Sequence, residues 1–170
     1  MHPTTSRRRV VRTLALTVAL VSTLTLTVRA APAPELKFTT ANGPLALESL
    51  RGKVVYLDYW ASWCVPCRHS FPWMNEMQAR FGDQGLVVLA VNVDADRAEA
   101  QKFLAAQLAK FTVAFDPNGD TARTMQLKGM PTSFLIDRNG NIVSSHVGFR
   151  ETDRQPREAE IRALLASKSK

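Results

Sequence analysis

After the first 30 residues, two strongly hydrophobic runs lie at residues 53–59 (KVVYLDY) and 86–93 (LVVLAVNV). Both are rich in β-branched residues, the first also contains aromatic ones, and neither shows regular polar alternation, which is typical of strands buried on both faces. The segment between them carries Pro66 near its start and extends to about Phe81, with Gly82 beyond it. Proline in a first turn and glycine after a last turn are typical of helix ends. A strand, a helix and a second strand are therefore predicted in this order.

The second half of the chain continues this alternation. The predicted elements are a helix at 97–108, a strand at 111–115, a brief helix ending at Met125, strands at 132–136 and 142–147, and a helix at 154–166. Asp94 or Asp96 can cap the first of these helices, and the turn at 137–140 (DRNG) is typical of a hairpin. This order indicates an α/β fold with a central mixed sheet flanked by helices.

Charge is distributed unevenly along the chain. The net charge is +7, and five arginines lie in the first 30 residues, which contain no acidic residue. The other residues carry 17 basic and 15 acidic side chains, without a basic stripe interleaved with aromatic residues. Binding of nucleic acid is therefore not expected. The hydrophobic share of 45% is enough for a core, so no disulfide is needed to hold the fold together.

Residues 1–30 have the composition of an export signal: a basic start, an apolar run at 14–28, and Ala30 before an expected cleavage site. The start is compatible with the general secretory route and also resembles the twin-arginine pattern. An uncleaved membrane anchor is the alternative, although the uncharged stretch is short for a membrane-spanning helix. Residues 31–35 are predicted to be a linker and residues 36–168 one domain. A periplasmic or otherwise exported protein is expected.

Both cysteines of the chain, Cys64 and Cys67, lie in the segment WASWCVPC at 60–67. At the start of a helix, the side chain of Cys64 faces unpaired backbone N–H groups and the positive end of the helix dipole. Both features favour the thiolate over the thiol. Cys67 lies one turn further on, so one sulfur can attack a disulfide while the other resolves the mixed disulfide.

Asp58 stands within the first hydrophobic run, at a position where a hydrophobic residue is expected. Alternation along the strand places it on the face opposite Leu57 and Tyr59. Burial disfavours a charged carboxylate, so we expect a raised pKa and proton exchange near neutral pH. Beneath the cysteine pair, such a group is suited to accept the proton of Cys67. The alternative is a structural aspartate at the strand end that pairs with a lysine.

The segment GMPT at 129–132 places a proline at the start of a predicted strand. This position is compatible with a cis peptide bond between Met130 and Pro131. In that geometry the backbone of Met130 would be presented to an extended peptide. Met130 and Pro131 are therefore candidate substrate-binding residues.

The segments WASWCVPC, LDYW and GMPTSFLID together resemble the thioredoxin superfamily over residues 35–168, and in particular its exported TlpA/ResA-like branch. The resemblance implies a thioredoxin-like fold. It also implies that the strand and helix at 86–108 form an insertion between the active-site helix and the cis-proline strand. The implied activity is that of a thiol-disulfide oxidoreductase. The implied roles are nucleophile for Cys64, resolving thiol for Cys67, cis-proline for Pro131, and shield and substrate contact for Trp63.

Two residues depart from the pattern of this branch. Ser70 stands where the branch often has a glutamate, and Asp58 where it often has an asparagine. The acid thus lies on the strand, as in thioredoxin itself, and not on the helix. A role in cytochrome maturation, which the branch serves, therefore does not transfer directly.

Other uses of two close cysteines remain as alternatives. The same sulfurs could bind Cu(I), which makes a copper-delivery protein the non-enzymatic alternative. A thiol peroxidase shares the architecture, but Leu57 and Ala61 occupy the positions of its required proline and hydroxyl residue. A zinc site would need histidines at a spacing that the usual motifs do not use. No metal or cofactor is expected.

The sequence favours reduction or isomerisation of disulfides in client proteins through a mixed disulfide. Re-reduction of the oxidised pair would require a partner, for which a membrane electron donor is expected, with an N-terminal membrane tether as a further option. The valine–proline dipeptide between the cysteines lacks the histidine of strongly oxidising relatives, which favours a reductase or isomerase. The direction stays open, because it depends on the potential of the pair relative to its partners.

Overall fold

The hydrophobic runs at 53–59 and 86–93 form the centre of one β-sheet. In the computed structural model, which describes residues 30–167, they are the strands Val54–Trp60 and Leu86–Asn92. The two strands pair in parallel, from Val54 opposite Leu86 to Trp60 opposite Asn92. Every residue of the first strand is buried, as expected for a parallel strand covered on both faces.

The described part of the chain contains eight strands and four α-helices. The strands are β1 (Ala31–Pro32), β2 (Lys37–Thr40), β3 (Gly43–Ala46), β4 (Val54–Trp60), β5 (Leu86–Asn92), β6 (Thr112–Phe115), β7 (Thr132–Ile136) and β8 (Asn141–Val147). The helices are α1 (Val65–Phe81), α2 (Arg97–Ala106), α3 (Asp120–Thr124) and α4 (Arg154–Ala166). The strand order is β1-β8-β7-β4-β5-β6-β2-β3, with β4, β5 and β6 parallel and the other pairs antiparallel. The predicted α/β fold with a mixed sheet flanked by helices is confirmed.

The sheet divides the hydrophobic core into two layers. On one face, Phe71 of α1, Phe103 of α2 and Ile161 of α4 belong to one buried cluster with Tyr56 and Trp60 of β4. The opposite face of β4 contributes to a second cluster, whose members include Leu36, Phe38, Leu57, Tyr59 and Met125. Both cysteines belong to the first cluster, so the redox pair lies on the face that α1 and α4 cover.

The helix predicted at 97–108 ends slightly earlier, at Ala106. Its N-cap is Asp96, whose side chain accepts a hydrogen bond from the backbone N–H of Ala98 at 2.8 Å. The sequence alone left Asp94 and Asp96 as alternatives for this cap. Asp94 instead holds the loop that precedes the cysteines.

The segment at 86–108, expected as an insertion, is an integral part of the core. β5 lies between β4 and β6 near the middle of the sheet. The ring of Phe103 on α2 packs against those of Trp60 and Phe71, with centroid distances of 4.7 and 4.8 Å. The strand and the helix therefore support the same buried cluster that contains the cysteines.

Two features of the N-terminal part were not predicted. β2 and β3 form a hairpin at one edge of the sheet, and Gly43 at the start of β3 has a φ of 105°. β1 lies within the segment predicted to be a linker, where Ala31 and Pro32 pair with Ile142 and Asn141 of β8. Strands of two to four residues contain too few positions to show a hydrophobic pattern.

The predicted export signal at 1–30 overlaps the described residues only at Ala30. The signal and the alternative membrane anchor therefore lie outside the described residues, and cleavage after Ala30 stays a prediction. Among the helices of residues 30–167, none combines the length and the hydrophobicity needed to cross a membrane.

Replacement of Phe103 by alanine should lower the free energy of unfolding by about 3 kcal/mol, because it removes a buried aromatic ring from the core. Chemical denaturation of the oxidised protein measures this change. The matched control is Leu108→Ala, since Leu108 lies just beyond the same helix and is 71% exposed. The control should change the free energy of unfolding by less than about 0.5 kcal/mol. Equal effects of the two substitutions would contradict the integration of α2 into the core.

Candidate active site

Between β4 and α1 the chain makes a tight turn that ends at Cys64. The backbone N–H of Cys64 donates a hydrogen bond to the carbonyl of Ala61 at 3.1 Å. Cys64 is the N-cap of α1, and its Sγ accepts a hydrogen bond from the backbone N–H of Cys67 at 3.3 Å. The two sulfurs are bonded to each other, so the structure is that of the oxidised protein. The helix thus begins at the cysteines, as the sequence predicted.

The two cysteines differ in position along α1 and in what surrounds them. Cys64 lies at the helix N-terminus and is 3% exposed, whereas Cys67 lies one turn further on and is fully buried. The first N–H groups of a helix have no partner within it, so they favour a thiolate at Cys64 when the pair is reduced. Pro66 lies in this first turn and contributes no N–H group. The geometry therefore favours Cys64 as the more readily ionised thiol of the pair.

Asp94 fixes the loop in front of the cysteines. Its carboxylate accepts hydrogen bonds from the backbone N–H of Ser62 at 2.9 Å and from the Ser62 hydroxyl at 3.1 Å. A third bond comes from the side-chain amide of Asn92, at the end of β5, at 2.8 Å. This role of Asp94 was missed, because an acid shortly before a helix also fits a capping residue. Its position directly after a buried strand, at the same edge as the cysteines, is the signal that could have indicated it.

Trp63 was expected to shield the cysteine pair. In the oxidised structure its side chain is 67% exposed and lines a cavity of about 420 Å³ together with Arg68 of α1 and Lys102 and Phe103 of α2. The exposed Trp63 thus forms one wall of this cavity and α2 the other, and shielding of the cysteine pair by Trp63 stays a prediction.

Met130 and Pro131 lie directly before β7, and the peptide bond between them is cis. The Thr132 hydroxyl donates to the carbonyl of Gly129 at 2.7 Å, and the backbone N–H of Gly148 donates to the carbonyl of Pro131 at 2.7 Å. The side chain of Met130 packs against the cluster that contains both cysteines. The fold therefore brings this segment to the same side of the molecule as the cysteine pair.

Asp58 is fully buried in the middle of β4, opposite Ala90 of β5 and Ser133 of β7. Neither carboxylate oxygen accepts a hydrogen bond from any group within residues 30–167. Burial raises the pKa of Asp58 from its ordinary 3.8 to about 8, and the positive charge of Arg157 acts in the opposite direction. The predicted burial is thus confirmed, and a raised pKa follows from this burial. The cation that acts on this carboxyl is an arginine, so the alternative of a lysine partner is not supported.

The burial of Arg157 on α4, close to the site, was not predicted from the sequence. Its side chain is buried, and its guanidinium donates to the Tyr56 hydroxyl and to the Ser133 hydroxyl, both at 3.2 Å, and to the carbonyl of Gly148 at 2.7 Å. An arginine in a helix rich in charged residues normally lies at the surface. The available signal was its spacing, because Arg157 stands four residues before the buried Ile161 and therefore shares the inward face of α4.

Ser70 occupies the helix position where a glutamate was expected from the resemblance. It is buried, and its hydroxyl donates to the carbonyl of Cys67 at 3.0 Å. The neighbouring His69 is exposed. Within residues 30–167, no group of three or more His, Cys, Asp or Glu side chains is arranged to hold a metal ion.

Comparison with known proteins agrees with this geometry. The Redoxin family model matches residues 29–165. A thiol-disulfide oxidoreductase ResA of Bacillus cereus is 33% identical over 117 residues, which are 68% of each chain. ResA of Geobacillus kaustophilus is 34% identical over 111 residues, which are 65% of this chain and 64% of the relative.

Solved structures show the same fold. A Chlorobium tepidum protein named as a thiol:disulfide interchange protein DsbE is 53% identical with a TM-score of 0.79, covering 81% of this chain and 97% of that one. A Bacteroides thetaiotaomicron protein named as a disulfide isomerase is 26% identical with a TM-score of 0.74, covering 81% and 90%. With the family model matching most of its length, the chain belongs to the Redoxin family, in the TlpA/ResA-like branch of the thioredoxin superfamily, and is a thiol-disulfide oxidoreductase.

Proposed function

We propose that the protein reduces or isomerises disulfides in exported client proteins, with Cys64 as the attacking and Cys67 as the resolving thiol. The observation that carries this proposal is the position of the Cys64 sulfur at the N-terminus of α1, where it accepts the backbone N–H of Cys67. The exposed Trp63 and the Met130–Pro131 segment border the pair and are the proposed contacts for an extended stretch of client chain.

The reaction consists of two thiol–disulfide exchanges. The Cys64 thiolate bonds to one sulfur of the client disulfide, and the other client sulfur leaves as a thiolate. Cys67 then loses its proton and attacks the Cys64 sulfur, which releases the second client thiolate and closes the Cys64–Cys67 disulfide. Two electrons pass from the protein to the client. A thiol-disulfide partner must return them, and a membrane electron donor is the proposed source.

The proposed proton acceptor for Cys67 is Asp58. Alternation along β4 places Asp58 on the same face as Tyr56 and Trp60, and this face packs against the cluster that contains Cys67. A carboxyl with a pKa of about 8 is partly ionised near neutral pH, so it can take up a proton and release it again. The first turn of α1 carries no acidic residue that could take this role. Ser70 stands at the helix position where the TlpA/ResA-like branch often has a glutamate.

The proposed location rests on the sequence of residues 1–30, which carries the composition of an export signal. N-terminal sequencing of the protein from its native host tests it, together with fractionation of the cells. A chain beginning at residue 31 outside the cytoplasm supports cleavage. An intact N-terminus on a membrane-bound protein supports the anchored alternative, and an intact cytosolic protein contradicts export.

The reduction potential of the Cys64–Cys67 pair should lie near that of thioredoxin, about −270 mV. Equilibration of the protein with dithiothreitol buffers measures it. A potential near about −120 mV would mean that the protein inserts disulfides instead. If the pair formed no reversible two-electron couple, the redox proposal would fail, and binding of Cu(I) by the two sulfurs would be favoured.

Replacement of Cys67 by serine should trap a mixed disulfide between Cys64 and the client, because the resolving thiol is absent. Replacement of Cys64 by serine should abolish turnover without trapping, since the attacking thiol is absent. Insulin reduction measures turnover, and non-reducing electrophoresis with mass spectrometry detects the trapped species. Normal turnover by the Cys67→Ser variant would show that the resolving step is not the one described.

Replacement of Asp58 by asparagine should stabilise the oxidised protein more at high pH than at low pH. The folded protein holds the Asp58 proton up to a pKa of about 8, whereas the unfolded chain releases it near 3.8. Stability from this group is therefore complete below about pH 4 and is lost as pH rises to about 8. The wild type should lose about 1.4 kcal/mol per pH unit relative to the variant within this window.

Chemical denaturation at several pH values measures this difference between the wild type and the variant. Asp58→Ala is the second variant, because it removes the same charge but leaves a cavity. Its absolute stability should differ from that of Asp58→Asn, while its pH slope relative to the wild type should be the same. A stability difference that does not vary between about pH 5 and 8 would mean that Asp58 is not protonated in the folded protein.

A further inference from the structure

We propose that Arg157 is a positioning residue for Asp58, and that it sets the pH range over which the carboxylate can accept the proton of Cys67. This proposal rests on the proposed role of Asp58 in the resolving step. Arg157 lies ninety-nine residues further along the chain, on the last helix, and it acts on the reaction only through the carboxylate.

The hydrogen bonds of Arg157 place its guanidinium beside the central strand. Its Nη1 donates to the hydroxyl of Tyr56 and to that of Ser133, both at 3.2 Å. Ser133 is directly opposite Asp58 in the β4–β7 ladder, and Tyr56 precedes Asp58 by two residues on the same face of β4. Both hydroxyls that hold the guanidinium are therefore immediate neighbours of the Asp58 side chain.

The outer half of the guanidinium is held as well. Nη2 donates to the carbonyl of Gly148 at 2.7 Å and lies 3.5 Å from the carboxylate of Asp153, at the start of α4. The side chain of Arg157 lines a cavity of about 280 Å³ with residues of β8 and the start of α4. Arg157 thus connects the buried surroundings of Asp58 with the segment between β8 and α4.

Each element packed around Asp58 contributes a different group. β5 places the uncharged Ala90 opposite it, and β7 places the uncharged Ser133. β4 itself contributes Tyr56, whose pKa is raised to about 12 by burial first and by the Asp58 charge second, so the hydroxyl stays protonated at neutral pH. α1 and its N-cap bring the two cysteines to the cluster on this face of the sheet, and α4 contributes Arg157. Among these groups of residues 30–167, the guanidinium is the one that carries a positive charge.

More distant charges are already paired with each other. Asp153 lies beside Arg150 and Arg157, and His146 of β8 contacts Glu160 of α4 at 2.9 Å. The side chains of Asp153, Arg150, His146 and Glu160 are all partly or largely exposed, so solvent screens their charges more strongly than it screens the buried guanidinium of Arg157. The charge of Arg157 is therefore the main favourable influence on the ionised form of Asp58.

The charge of Arg157 increases the fraction of Asp58 that is ionised at a given pH. Burial alone favours the neutral carboxyl, which cannot accept a proton. A nearby positive charge restores part of the ionised form, so the carboxylate can act at a lower pH than burial would otherwise allow. Because the guanidinium keeps its charge throughout the physiological range, this influence does not vary with pH.

The first measurement is the pKa of Asp58 itself, followed by carbon-13 NMR of its carboxyl group. Removal of the charge in Arg157→Met should raise it by about one pH unit or more, whereas Arg157→Lys should stay closer to the wild type. Arg162→Met is the matched control, because Arg162 lies on the same helix with its side chain 56% exposed. The control should leave the pKa of Asp58 where it is in the wild type.

The second measurement follows the resolving step in a single turnover. Reduced protein mixed with 5,5′-dithiobis(2-nitrobenzoate) releases one coloured thiolate when Cys64 attacks and a second when Cys67 resolves the mixed disulfide. The pH at which the second phase is half-maximal should move upward in Arg157→Met by the same amount as the Asp58 pKa. In an Asp58→Asn background, Arg157→Met should produce no such displacement.

The outcomes separate the two proposals. An unchanged second phase in Asp58→Asn would overturn the role of Asp58, and with it the proposed mechanism. A changed second phase in Asp58→Asn, with the Asp58 pKa unaltered or lowered in Arg157→Met, would overturn the role of Arg157 alone. If Arg157→Met does not fold, Arg157→Gln provides the same loss of charge with retained hydrogen-bonding capacity, and the same criteria apply to it.

Discussion

The hydrogen bonds between Asp94 and Ser62 are the contacts on which the redox site depends. They join the loop before the cysteines to the end of β5, so the point where the chain turns from β4 into α1 is fixed relative to the sheet. This turn makes Cys64 the N-cap of α1 and places Cys67 one turn further along the helix, in the buried cluster that also contains Tyr56 and Trp60 of β4. A displacement of this loop would move the sulfurs relative to the helix N-terminus and to the central strand together. One buried acid thus holds the cysteine pair in register with the sheet.

A carboxyl and a guanidinium enter the same buried region from distant parts of the chain. Asp58 belongs to the central strand, and Arg157 reaches the neighbouring hydroxyls of Tyr56 and Ser133 from the last helix. Neither oxygen of Asp58 accepts a hydrogen bond within residues 30–167, so burial of this carboxyl carries a desolvation cost that the guanidinium offsets only in part. In the proposed mechanism this cost is useful, since a carboxyl whose pKa lies near neutral pH can exchange protons. On that proposal, α4 serves the redox chemistry as well as covering the sheet.

Functional residues could be identified from the sequence where the residue type is unexpected for the surrounding pattern. Asp58 interrupts a hydrophobic strand, and the cysteine pair stands at a recognisable helix start, so both were identified before the structure. Arg157 was missed because it lies in a helix rich in charged residues, where its type causes no conflict. Asp94 was assigned as an alternative cap because its true partner, Ser62, is distant in sequence. Contacts that join separate segments leave no periodic signal.

The same limit applies to the fold. Long helices and buried strands were predicted almost to their ends, because each contains several turns or alternations. The hairpin of β2 and β3 and the short β1 were not, since four or fewer residues cannot establish a period. Their places in the sheet are set by edge pairing with β6 and β8.

The pairing of Ala31 with Ile142 fixes where the described part of the chain enters the sheet. This contact lies beside the β7–β8 turn, and the end of β7 next to that turn pairs with the beginning of β4, where Val55 is opposite Ile136. β4 is seven residues long, so its other end, which the cysteines follow, lies about 20 Å away along the sheet. If the chain keeps the N-terminal tether proposed as an alternative to cleavage, an attachment before Ala31 would therefore hold the domain at the end of the sheet opposite the redox pair.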